Sequence, residues 1–161
     1  MDPLESLQAV EEIRHIKHHF LRCLDLKLWD QIGDTLTDDA TLDYGTIAYG
    51  KPLQVSGRPA IACFLQTKLG PDVVTVHAAG QPEIDVQGST ASGVWSVSET
   101  MIATKHHIMI TGAAFYHDRY ERCADDRWRI AHTSHIRTCE SMLSLDDLPS
   151  FRMTQINATQ Q

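Results

Sequence analysis

Two side chains far apart in the chain have the types needed for proton transfer. His77 ends the run Val73-Val-Thr-Val-His77, at alternate positions with Val73 and Thr75 on a predicted strand. A half-buried histidine there can be a neutral base, since an unperturbed imidazole titrates at about 6.5. The same spacing also suits a hydrogen-bonded histidine of the core or rim. Asp25 ends a predicted helix, between Leu24 and Leu26. A carboxylate in that apolar setting opposes the helix macrodipole and calls for a compensating partner. A histidine suits it: the carboxylate accepts from one ring nitrogen, fixes the tautomer, and stabilises the imidazolium formed when the other nitrogen takes a proton. Read alone, Asp25 can also be an exposed acid at a helix end.

Arg137 lies on the last predicted strand, beside Ile136 and in phase with His135. Facing a pocket, its guanidinium would hold an anionic substrate group or a carboxylate bidentately. Glu99, on the strand that contains Trp95, could be that partner; a surface salt bridge across the sheet is the other reading. His135, Tyr44, Tyr49 and Tyr116 are candidate donors to an oxygen that gains negative charge. Metal binding is not indicated. His15 and His19 are one helical turn apart, but no third ligand has matching spacing. The adjacent pairs His18-His19 and His106-His107 diverge on either a helix or a strand. No glycine pattern opens a helix after a strand, so neither a phosphate loop nor a dinucleotide fingerprint is read, and no cofactor is expected. Cys23 falls one turn after Phe20 and reads as a small core residue rather than a nucleophile.

The elements that must position these groups follow from periodicity. Residues 4–26 read as a helix, with Leu7, Val10, Ile13, Ile16, Phe20 and Leu24 at three- and four-residue steps. A short second helix is expected over 27–36, a turn at Thr37-Asp38-Asp39, and a strand over 40–44. Residues 45–57 carry three glycines and Pro52, which predicts a loop or strained hairpin at the pocket mouth. A third helix is expected over 58–69, with Pro59 in its first turn and Gly70-Pro71 ending it. Strands follow over 73–79, 82–87, 90–103, 108–122 and 127–139. In the fourth of these, Phe115 takes one face and Tyr116, Asp118 and Tyr120 the other. Gly112 inside it predicts a bulge or bend, as a curled sheet requires. The expected fold is α+β: a cone-shaped barrel of three N-terminal helices packed on a strongly curved, mostly antiparallel sheet enclosing a pocket. Residues 1–143 form one domain, and 144–161 an extended arm or disordered tail.

The chain has 161 residues, enough for one domain with a core and a pocket. A net charge of −7, with Arg14, Lys17 and Arg22 on a helix among acids, argues against nucleic acid. No apolar run is long enough for a membrane span. The start, Met1-Asp-Pro-Leu-Glu5, has no signal-peptide character, so a cytoplasmic protein is expected. In that setting Cys23, Cys63, Cys123 and Cys139, with no CxxC, are expected as free thiols.

Taken together, Phe20-Leu-Arg-Cys-Leu-Asp25 with Trp29-Asp30, Leu36-Thr-Asp-Asp-Ala40, Gly57-Arg58 with Ile61, His77, and 112–122 with Trp128-Arg-Ile130 resemble the SnoaL-like branch of the nuclear transport factor 2-like superfamily. That branch includes bile-acid 7α-dehydratase, scytalone dehydratase, hexachlorocyclohexane dehydrochlorinase and polyketide cyclases. The resemblance implies that His77 is the base and that Asp25 pairs with it. It implies that Glu99 and Arg137 are the acid and arginine beside the histidine. It also implies a substrate site that includes Phe20, where the dehydratases carry a tyrosine. Phenylalanine cannot protonate a leaving hydroxyl, so Tyr44 or Tyr49 takes that role or the reaction differs. The function expected is a cofactor-independent lyase (dehydratase) or isomerase acting on a hydrophobic, polycyclic or aromatic small molecule. A polyketide-type cyclase is the alternative, and a non-catalytic ligand-binding or assembly subunit the alternative of another class. Apolar residues on the outward face of 90–103 and 108–122 would make the protein a homotrimer or homodimer.

Overall fold

The computed structural model describes residues 2–45 and 53–156. Helix α1 (Pro3–Leu26) begins at a reciprocal cap. The Leu4 N–H donates to Asp2 Oδ1 (3.4 Å), and the Asp2 N–H donates to Glu5 Oε2 (3.0 Å). Pro3 sits where a missing N–H costs nothing. Lys27, in the left-handed region (φ 59°), ends the helix with its N–H on the Cys23 carbonyl. Its buried side is Ala9, Ile13, Lys17, Phe20, Leu21 and Leu24. Lys17 is therefore not on a solvated face among acids, as its residue type suggests, but inside the core stripe.

A single turn, α2 (Trp29–Ile32), and a 3-10 turn, Gly33–Thr35, lead directly into β1 (Leu36–Asp43). The expected turn at 37–39 is thus strand, because Leu36 pairs with Ile130 and buries its side chain completely. β2 (Gln54–Ser56) returns antiparallel to β1, so among the described residues of the stretch 45–57 there is one strand, paired with β1. Tyr49 lies outside the described residues. Helix α3 (Arg58–Lys68) follows, then four long strands: β3 (Val73–Gln87), β4 (Thr90–Ala103), β5 (Ile108–Arg122) and β6 (Trp128–Ser144). The order is β2-β1-β6-β5-β4-β3, antiparallel except where β1 meets β6. The sheet is curved but not closed, a half-barrel rather than a barrel, with α1 laid across β3 and β6.

Two expectations about the sheet need correction. The strands expected at 73–79 and 82–87 are one strand, because both halves pair with β4; the register slips between Gly80 and Glu83, with Gln81 at φ 47°. The bulges of β5 with β6 lie at Ala113/Ala114 and Arg119/Tyr120, not at Gly112. The extra residues, Thr138 and Ala131, are on β6. β6 itself runs to Ser144, then turns through Leu145–Asp147, where the Leu145 N–H donates to the His107 carbonyl (2.7 Å). The described residues of the last segment, to 156, have no regular structure beyond that turn. The four cysteines are unbridged. Among the described residues no helix is long and apolar enough to cross a membrane.

Candidate functional site

Alternation along the long strands fixes which side chains face the half-barrel's interior. The register sets His77 opposite Glu99, Glu99 opposite Gly112, and Gly112 opposite Glu140. Two ranks further in, Trp95 faces Tyr116 and Tyr116 faces His135. The C-terminal end of α1 is laid over the first rank. There the Asp25 carboxylate takes two hydrogen bonds from one residue: the His77 N–H reaches Oδ2 (2.9 Å) and His77 Nδ1 lies 2.6 Å from Oδ1. These contacts meet the need that the helix end created for Asp25. An ionised carboxylate only accepts, so Nδ1 carries the hydrogen and the neutral ring leaves Nε2 bare. The His77 side chain is 8% exposed, and the ring lines a cavity of about 330 Å³.

On the far side of that ring, Glu99 Oε2 is 3.9 Å from Nε2. Glu99 Oε1 is ion-paired with Arg137 Nη1, and its Oε2 accepts from the Tyr116 hydroxyl (3.4 Å). Arg137 Nη1 also meets Glu140 Oε2 (2.9 Å). Its charge is thus engaged by two carboxylates rather than waiting for an anionic substrate group. Gly112 makes this cluster possible. A Cβ there would lie 2.8 Å from Arg137 Nη1 and 3.0 Å from the Cys139 carbonyl oxygen. The glycine serves close approach, not a bulge.

Tyr44, Tyr116 and His135 form an aromatic corner of the cavity, with ring centroids 4.7 Å (Tyr44–His135), 5.2 Å (Tyr116–His135) and 6.4 Å (Tyr44–Tyr116) apart. Burial pushes the Tyr116 phenol well above its usual range, so it stays protonated as a donor. Burial, then the nearby Arg137 charge, lowers the His135 pKa and favours the neutral ring. The remaining wall is mostly apolar: Leu24, Phe64, Leu65, Leu69, Met101 and Ile110. Lys27 sits behind the dyad; its Nζ donates to Thr75 Oγ1 (3.3 Å), and burial lowers its pKa to about 8.

Of the residues singled out by sequence, His77, Glu99, Tyr44, Tyr116, His135 and Arg137 line one cavity, and Asp25 touches it through His77. Phe20 does not belong to it. It is wholly buried in the core beneath, so a hydroxyl added there would meet core atoms. Glu140 went unrecognised, as did a buried pair under the aromatic corner: Lys17 Nζ lies 2.6 Å from Asp118 Oδ2, with both side chains fully enclosed. The signal was present, since Lys17 falls on the Ile13–Phe20–Leu24 stripe and Asp118 alternates with Tyr116 and Tyr120. Among the described residues no cluster of three histidine, cysteine or acidic side chains could hold a metal.

Comparisons with known proteins bear on fold and lineage. The SnoaL-like domain family matches residues 5–134. The hexachlorocyclohexane dehydrochlorinase LinA-type3 of Novosphingobium barchaimii superposes with a TM-score of 0.76 at 18% identity, covering 87% of this chain and 93% of that one. A protein provisionally named scytalone dehydratase, from Novosphingobium aromaticivorans, gives 0.74 at 18% identity, covering 84% and 88%. Another from that species, provisionally named an aromatic ring hydroxylase, gives 0.74 at 17%, covering 91% and 98%. At such identities the likeness establishes the fold, and one fold hosts different chemistries.

Proposed function

The chain belongs to the SnoaL-like domain family, and from that premise we propose that it is a cofactor-independent lyase, of dehydratase type, or an isomerase. Its substrate is an uncharged, hydrophobic small molecule, polycyclic or aromatic, that carries a carbonyl or similarly activated carbon. His77 Nε2 takes a proton from that carbon, and the C–H electron pair becomes a double bond. In the lyase a β-substituent leaves with its own pair; in the isomerase the proton returns elsewhere. Asp25 holds the ring's tautomer and, with Glu99 on the other side, stabilises the imidazolium. The aromatic corner supplies donors to the oxygen that gains charge.

The observation that carries this reading is the Asp25–His77 pair, joined at 2.6 Å with Nε2 on a largely apolar cavity. The uncharged substrate is supported by the mostly apolar wall and by Arg137, which is already engaged by two carboxylates and so offers no open site for an anionic group. The hydroxylase and dehydrochlorinase names of the structural neighbours do not choose the leaving group here.

The test is a panel of uncharged β-hydroxy and β-halo carbonyl compounds in deuterated buffer, read for loss of the substituent and for deuterium at carbon. His77→Ala is expected to lower kcat by about 10²–10⁴-fold while ligand affinity holds. Asp25→Asn should keep the fold and lose most of the rate. Ring closure without loss of the substituent would instead make this a cyclase. A His77→Ala protein with unchanged turnover would sink the base assignment.

A further inference from the structure

The buried Lys17–Asp118 pair lies outside the cavity wall and has no part in the reaction just described. Its placement is specific. Lys17 Nζ stands 4.5 Å from the centroid of the Tyr116 ring, well inside cation–π range, and 5.9 Å from that of Phe20. Asp118 Oδ2 also accepts from the Tyr120 hydroxyl (2.7 Å), which accepts from Trp95 Nε1 (2.9 Å). That chain anchors the carboxylate in the core. Lys17 Nζ and Asp118 Oδ1 otherwise find no partner of hydrogen-bond geometry among the described residues. The ammonium is held against the ring face rather than spent on a set of acceptors. For stability alone, two apolar side chains of similar volume would do as well as a buried ion pair. What such a pair adds is a fixed cation at a fixed place.

We propose that Lys17 is a positioning residue for the site: its ammonium holds the Tyr116 ring and strengthens the phenol as a donor to Glu99, which flanks His77 opposite Asp25. The path runs Lys17, Tyr116, Glu99, His77. A cation over the ring face favours electron density leaving the hydroxyl, so the Tyr116–Glu99 hydrogen bond tightens and part of the Glu99 charge is occupied. Without Lys17 that bond loosens, and more of the carboxylate's charge acts on Nε2. The catalytic meaning of this rests on the reading of His77 as the base; the geometry itself does not.

The experiment therefore reads His77 directly, by NMR titration of its ring proton and carbon signals, with no substrate present. Several other charges surround that ring: Asp25 and Lys27 at the end of α1, Lys68 on α3, and Arg137 and Glu140 on β6. Tyr44 and the neutral His135 complete the set. The comparison must leave all of these in place. Lys17→Met combined with Asp118→Asn removes both buried charges together. It is expected to move the His77 titration upward by about 0.4–1 pH unit, the worth of one ordinary hydrogen bond. Tyr116→Phe should move it in the same direction. In the Tyr116→Phe protein the Lys17/Asp118 change should add nothing. A full shift in that background means that Lys17 acts by its field alone, and no shift in either background means that the pair is structural; both overturn the proposal. Should the double variant not fold, Lys17→Gln with Asp118→Asn keeps a polar pair in place, again removes both charges, and gives the same comparison. If the titration behaves as expected while His77→Ala retains turnover, the relay stands and the base assignment falls.

Discussion

His135 is a histidine whose surroundings oppose its charge: burial first, then Arg137, lower its pKa from the ordinary 6.5. His19 and His132 are lowered too, each chiefly by burial. The consequence for stability has a definite sign. Near pH 6.5 and below, the unfolded chain takes protons that the folded chain refuses, so more protons bind the unfolded state and stability drops as pH falls. The contribution is complete above that range. Asp125, held to about 2 by Arg129, acts only at much more acid pH and does not confound the window. A lower Tm at about pH 5.5 than at about pH 7.5 is expected, with His135→Gln narrowing the gap. Equal narrowing by an exposed control such as His106→Gln would refute the assignment to His135. Only part of this environment was readable from sequence: Arg137 is in phase with His135 on one strand, but Tyr44 and Tyr116 reach it only through the fold. Asp25 was legible from the need its helix end creates, whereas His77 read alone also suits a core or rim histidine, and its role as base came from the resemblance. Lys17 was not: its residue type argues for solvent, and only its position on an apolar stripe argued otherwise.

At the scale of elements, strands carried more information than their breaks. Alternation placed Tyr116, Asp118 and Tyr120 on one face, and all three are buried there. The β3 slip at Gly80–Glu83 reads locally as a turn, and only the continuous pairing with β4 shows one strand. Gly112 shows the same limit. A glycine within a strand signals either a bulge or a close approach, and the choice depends on Arg137, which is remote in sequence. The structure decides for close approach, and this can be tested. Gly112→Ala forces a methyl into the Arg137 guanidinium and the Cys139 carbonyl. It should destabilise the protein by about 1–3 kcal/mol and displace Arg137 from Glu99. Chemical denaturation measures the first effect. Ala113→Gly, one residue along on the opposite face, serves as the control. A Gly112→Ala protein as stable as the parent would mean that β6 shifts freely at that point.

For the whole molecule, the order of helices before a curved antiparallel sheet was enough to read the α+β cone, since a one-sided sheet must cover its inner face and α1 supplies the cover. The outer face remains. It was expected to carry apolar residues on both central strands, but on β4 the outward positions include Ser92, Ser96 and Ser98, all exposed. The apolar component is narrower. Phe115 is 45% exposed and Ile136, its register partner on β6, is 64% exposed, with Val76 on β3 also open. Large apolar side chains exposed side by side on paired strands, as Phe115 and Ile136 are, commonly mark an interface. We propose that two or three copies pair through this face, as a homodimer or homotrimer. Light scattering at micromolar concentration should give a mass of two or three chains. Phe115→Ser with Ile136→Ser should reduce it to one while leaving the far-ultraviolet circular dichroism unchanged, because neither side chain belongs to the core. A parent protein that is monomeric at that concentration would show that the patch is only exposed surface. An oligomer that survives the double substitution would place the interface elsewhere, with the exposed Met142 and Leu143 at the end of β6 as the next surface to test.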